Sequence, residues 1–187
     1  MGFPKFVMLV FLFSIPLLPV GGQGDQHDGQ AADLNSVSDA DLKAATIVLE
    51  RTYCFGNCPA YTVTIHGDGR VEYAGKSNVK VTGSKEGRIE PEAVRALLSE
   101  FARAKYLSLP DYSGQKCKCG YCTDMPSAIT ELSAGSAKHR VDHYYGCRCA
   151  PKALFDLESA IDKAAHTEQW TGDTSKQGPF GTTCTGG

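Results

Sequence analysis

The residues with the most chemistry to offer are eight cysteines: Cys54, Cys58, Cys117, Cys119, Cys122, Cys147, Cys149 and Cys184. Their spacing admits three uses. Thiolates at Cys117-x-Cys119-x-x-Cys122 and Cys147-x-Cys149, with His143 nearby, exceed the four soft ligands a structural zinc takes. Cys54 with Cys58, or Cys119 with Cys122, could exchange disulfides, although neither pair opens a recognisable helix whose dipole would lower a thiol pKa. In an exported chain an even count reads first as disulfides, and eight cysteines allow on the order of 100 pairings.

Compartment therefore decides how the sulfurs are read. Lys5 precedes an apolar run from Phe6 to Leu12 that continues through Ile15, Leu17, Leu18 and Val20 to the small residues Gly21, Gly22 and Gly24. This is the pattern of a secretory signal peptide over residues 1–22, cut after Gly22. The run falls short of the about 20 apolar residues of a spanning helix and carries Pro16 and Pro19, so no stable membrane insertion is expected after cleavage. The expected location is secreted or periplasmic, where thiols oxidise and the zinc reading becomes the alternative to no cofactor at all.

Geometry narrows the pairings. Cysteines two apart in an extended segment sit about 7 Å apart, too far for ready bridging, so Cys117 and Cys119, like Cys147 and Cys149, look outward for partners. Cys54 and Cys58 can pair because Gly56 lets the three intervening residues turn back. A double clasp of Cys117/Cys119 on Cys147/Cys149 would pin a long loop to a hairpin and leave Cys122 for Cys184.

Other candidates are fewer. Tyr61, His139, His143 and Tyr145 could line a ligand groove, although strand histidines and tyrosines also serve simply to pack a sheet. Asp111, Asp124 and Asp142 are scattered. No G-x-S-x-G elbow, phosphate loop or H-E-x-x-H helix is present, so the sequence assigns no catalytic residue. The formal charge of -2, or -3 once Lys5 leaves with the leader, supplies no basic field for nucleic acid. The expected partner is an unknown protein or envelope ligand.

These residues must be positioned by alternating strands and two amphipathic helices. Thr46–Arg51 and Tyr61–His66 alternate at the strand period on either side of the Cys54–Cys58 corner. Gly67-Asp68-Gly69 turns the second strand into Val71–Ala74, and Val79 and Val81 suggest a fourth strand followed by a turn over Gly83–Gly87. Pro91 opens a helix whose Val94, Leu97, Leu98 and Phe101 share one face. A loop over Asp111–Pro126 leads to a second hairpin, Ala128–Ser133 and Lys138–Tyr145, and a second helix from Pro151 carries Leu154, Leu157 and Ile161. Strands, helix, strands, helix predict an α+β fold: an antiparallel sheet of about six strands with both helices packed on one face. Residues 23–43 read as a solvated linker, 44–166 as one domain and 167–187 as an irregular tail.

Arg51-Thr-Tyr-Cys-Phe-Gly-Asn-Cys-Pro-Ala-Tyr61, Gly67-Asp-Gly69, His143-Tyr-Tyr-Gly146, and Leu154, Leu157, Glu158 and Ile161-Asp162 together resemble the bacterial domain of unknown function family sixty-four thirty-eight. The resemblance runs from about Ala44 to Ala165. It implies no activity, cofactor or catalytic residue, and Cys117, Cys119, Cys122 and Cys149 stand outside its pattern. Taken together, the sequence points to an exported disulfide-stabilised module with a non-catalytic binding or structural role at the cell envelope. A cysteine-ligated zinc module and a thiol-disulfide exchange enzyme are the competing readings.

Overall fold

The computed structural model describes residues 1–2, 34, 37–120 and 122–172. The expected leader beyond its first two residues, most of the linker, and the tail from 173 onward with Cys184 lie outside them.

Alternation of apolar and polar residues builds the sheet. β1 (Thr46–Arg51) is its central strand, with Ile47, Leu49 and Arg51 turned to one side and fully or nearly buried. β2 (Ala60–His66) and β3 (Arg70–Ser77) follow as an antiparallel meander, and β4 (Gly83–Arg88) closes that edge. β5 (Ser127–Ala134) pairs with the other side of β1, and β6 (Ala137–Tyr144) completes an all-antiparallel order β4-β3-β2-β1-β5-β6. Two helices cover one face: α2 (Pro91–Arg103) and α3 (Lys152–Ala164), counted after the short α1 (Asp39–Lys43). Val94, Leu97, Leu98 and Phe101 of α2, with Leu154, Leu157 and Ile161 of α3, meet the inward residues of the sheet in one core. Each such side chain contributes about 1.5–3 kcal/mol by leaving water. This is the expected α+β fold. Among the described residues no helix is long and apolar enough to cross a membrane.

Three segments differ from the sequence reading. The fourth strand is Gly83–Arg88, where a turn was expected, and Val79 and Val81 lie in the bend before it. Gly83-Ser-Lys-Glu-Gly-Arg88 has no apolar period to read; it is an edge strand held by its backbone ladder to β3, and its charges discourage further pairing. The end of the linker forms α1, capped by the Ser38 hydroxyl, which accepts from Asp41 N, and anchored by buried Leu42. Beyond His166, α4 (Glu168–Thr171) docks Trp170 against Tyr73, ring centroids 4.9 Å apart. Lys80 N and Val81 N donate to Thr171 O and Trp170 O, so the Val79–Val81 segment pairs with α4 and not with the sheet.

Glycine is required at Gly67 for space. Its turn to β3 uses positive φ at Gly69 alone, but a Cβ on Gly67 would stand 1.6 Å from the Leu42 carbonyl oxygen, where α1 lies against the hairpin.

Candidate functional site

The described cysteines gather at one end of the sheet, where β1 leaves, β5 enters and β6 runs out toward α3. Past Arg51 the β1–β5 pairing continues through Thr52 N, which donates to Ser127 O, and Phe55 N donates to Asp124 O. Just past these bonds the chain turns back at Gly56, φ +148°, and Cys54 and Cys58 are bridged with Cα atoms 5.7 Å apart. The closed loop presents Phe55 at 90% exposure, and Tyr53 just before it is 60% exposed.

The Asp111–Pro126 loop is pinned to the end of the β5–β6 hairpin. Cys117 is bonded to Cys147 and Cys119 to Cys149, with Cα separations of 5.7 and 5.8 Å inside the range a disulfide spans. The backbone holds the same two segments independently: Cys122 N donates to Gly146 O at 3.1 Å and Arg148 N to Gly120 O at 3.4 Å. Tyr144 Oη donates to Cys122 O at 2.9 Å and accepts from Met125 N. A Cβ at Gly146 would lie 2.2 Å from Cys122 O, so the approach demands glycine. At the start of the loop Tyr112 makes a parallel bridge with His143, and Asp111 Oδ1 accepts from Asp142 N. The Asp111 carboxyl is held below its usual range by Lys116, 2.6 Å away, and by that backbone donor.

Directly beneath this end lies a chain of buried polar groups joining the sheet to α3. Arg51 donates through Nε and Nη2 to Asp162 Oδ2 at 2.9 and 2.7 Å, and through Nη1 to the Tyr145 hydroxyl. Tyr145 Oη donates to Glu158 Oε2 at 2.7 Å, and the His143 Nδ1–H donates to Glu158 Oε1 at 2.7 Å. Tyr61 Oη and Thr167 Oγ1 both donate to Asp162 Oδ1, at 2.6 and 3.0 Å. Burial and then the Asp162 charge push the Tyr61 hydroxyl far above the usual phenol range. Burial does the same to Tyr145, opposed by Arg51 and reinforced by Glu158. Both hydroxyls therefore stay protonated and remain donors. Burial works against the Arg51 charge, yet Asp162 and its other neighbours raise its pKa well above normal, so it stays a cation.

Of the groove candidates, Tyr61, His143 and Tyr145 are thus brought together, but as packing groups: Tyr61 and His143 are buried in the core with Glu158, partly buried Tyr145 lies against it, and His143 is walled by Phe155 and Tyr145 at ring distances of 4.4 and 4.8 Å. His139 stands apart; its Nε2–H donates to Leu109 O while its ring packs edge-on against Tyr106. Of the zinc candidates, Cys117, Cys119, Cys147 and Cys149 have sulfur atoms all within 4.8 Å of one another. Cys122 and His143 fall outside that set. Cys122 is itself disulfide-bonded, and its expected pairing with Cys184 lies outside the described residues. Sequence reasoning passed over Arg51, Glu158 and Asp162 as site residues, although the first occupies an inward position of β1 and the others lie beside the apolar stripe of α3.

Fold and site together define a class: an α+β module whose six-stranded antiparallel sheet is backed by helices on one face and clasped by disulfides at one end. The chain belongs to the family described as Domain of unknown function (DUF6438), whose model matches residues 45–165. A comparison with curated proteins gave no match.

Proposed function

We propose that this chain is an exported, disulfide-stabilised module that binds a partner at the cell envelope and catalyses no reaction. The observation that carries the reading is the bonding of Cys54 to Cys58, Cys117 to Cys147 and Cys119 to Cys149, a state that an oxidising compartment maintains and a reducing cytosol does not. The leader-like segment over residues 1–22 supports it. So does the internal pairing of the buried polar groups, which ties α3 to the sheet and leaves their charges facing one another. The binding half rests on two exposed aromatic side chains, Phe55 on the loop closed by the Cys54–Cys58 disulfide and Tyr53 immediately before it, a pre-ordered contact of the kind partner surfaces favour.

The test is mass mapping of the unreduced protein taken from its native host, with determination of its N-terminus. The expected result is a chain beginning near Gln23 with its cysteines bonded. Free thiols throughout, on a chain that retains its leader, would overturn the reading.

A further inference from the structure

The four sulfurs of the double clasp are closer to one another than two separate disulfides require. Besides the two bonds, Cys117 Sγ lies 4.0 Å from Cys119 Sγ, and Cys147 Sγ lies 3.7 Å from Cys149 Sγ, with every pair inside 4.8 Å. Four thiolates around a tetrahedral zinc, each at about 2.3 Å, stand roughly 3.8 Å from one another. Two of the cross-pair distances, 4.0 and 3.7 Å, already match the edges of that tetrahedron, and the others lie within 4.8 Å; the two bonded pairs have to separate. We propose that Cys117, Cys119, Cys147 and Cys149 form a redox-gated site for one zinc-class divalent cation, closed to metal while the disulfides are bonded and competent once they are opened.

Three features of the structure favour this use. The loops that carry the sulfurs are held together by backbone hydrogen bonds between Cys122 and Gly146 and between Arg148 and Gly120, which do not depend on the disulfides. These bonds remain to draw the two loops together when the disulfides open. Cys119 and Cys149 are exposed and Cys117 is half-buried, so an external thiol can reach each bond. Lys118 and Arg148 flank the cysteines in sequence and place positive charge near the two negative charges left when four thiolates bind one divalent cation. The step is balanced by a dithiol reductant: two equivalents pass four electrons and four protons to the two disulfides, each leaving as its own cyclic disulfide. The cation then displaces the four thiol protons to solvent.

The proposal concerns the opened form, so it stands or falls independently of where the protein resides. The chain is reduced anaerobically with a phosphine, freed of it, given one equivalent of Zn²⁺ and desalted, and the retained metal is measured. One zinc per chain is expected on the reduced protein and none on the oxidised protein, and Co²⁺ in its place should give the visible spectrum of a tetrahedral thiolate site. The double variant C119S/C149S should lower retention at least tenfold, while C54S/C58S keeps it. As a readout that needs no variant, zinc should protect Cys117, Cys119, Cys147 and Cys149 from alkylation and leave Cys54 and Cys58 reactive. Absence of retained zinc on the reduced chain, full retention in C119S/C149S, or alkylation of the four at an unchanged rate would each overturn the proposal.

Discussion

Glu158 occupies a helix position flanked by Leu154, Leu157 and Ile161, where an apolar side chain would ordinarily pack, and it is fully buried there. It is tolerated because both carboxylate oxygens accept, one from His143 and one from Tyr145. Glu158→Leu would keep the volume and leave two buried donors short of an acceptor, and removing one member of such a buried charged network costs about 3–5 kcal/mol. Glu158→Gln retains one acceptor and should fall between, at about 1–3 kcal/mol. Urea denaturation of the two variants should give that order; a leucine variant as stable as the parent would show the network to be dispensable. The residues of this network were partly legible in sequence. Arg51 follows Ile47 and Leu49 at the strand period, which turns it inward, and Glu158 and Asp162 fall on the inner side of the second helix. What the pattern lacked was the partner, since Arg51 and Asp162 are brought together by the return of α3 over the sheet. Asp111 makes a different test. Its pKa is depressed, so its contribution to the folded state is complete above the ordinary carboxyl value of 3.8 and is lost as pH falls through the lower, folded value. Acid titration should therefore loosen the Asp111–Pro126 loop below that value, seen as faster exchange of the Asp142 amide. Asp111→Asn should remove the pH dependence.

At the scale of elements, what was readable were segments whose side chains alternate or stripe, and what was not were segments held by backbone or by one anchor. β1, β2, α2 and α3 announce themselves through buried residues at periods of 2 and 3.6. β4 offers no apolar side chain to count, and its place is fixed by the ladder from Arg70 to Gly75. α4 hides for a different reason: four residues carry no period, and a single tryptophan does the anchoring. Trp170 packs on Tyr73 and against Gly87, where an added Cβ would lie 3.0 Å from the indole, and desolvation here helps to raise the Tyr73 hydroxyl to about 12. Trp170→Ala should cost about 3–5 kcal/mol, the range for an aromatic lost from a core, and should release the Val79–Val81 bend that α4 holds through two backbone hydrogen bonds. Thermal melting and amide exchange at Lys80 and Val81 report the two effects separately. A change within about 0.5 kcal/mol, the scale of a surface substitution, would mean that α4 is not docked in solution.

For the whole molecule, the decisive feature is that the disulfides formed between described residues all cross-link one end of the sheet. Cys117–Cys147 and Cys119–Cys149 each close a loop of sequence separation 30, and the two loops are the same loop displaced by two residues. Their stabilisations are therefore coupled. By the chain-entropy relation the first bond formed restricts the unfolded chain by about 3.5–4 kcal/mol, whereas the second closes only the small ring left between adjacent cysteines, worth about 2 kcal/mol. Deleting either clasp alone, as C117S/C147S or C119S/C149S, should thus cost only about 2 kcal/mol, because the survivor still closes the long loop. Deleting both should cost roughly 5–6 kcal/mol, more than twice the single loss. Equilibrium denaturation of the three oxidised variants in urea measures this directly. Equal and additive losses of about 3.5 kcal/mol for each clasp would show that the bonds act on independent parts of the unfolded chain, and that the double clasp is two staples and not one.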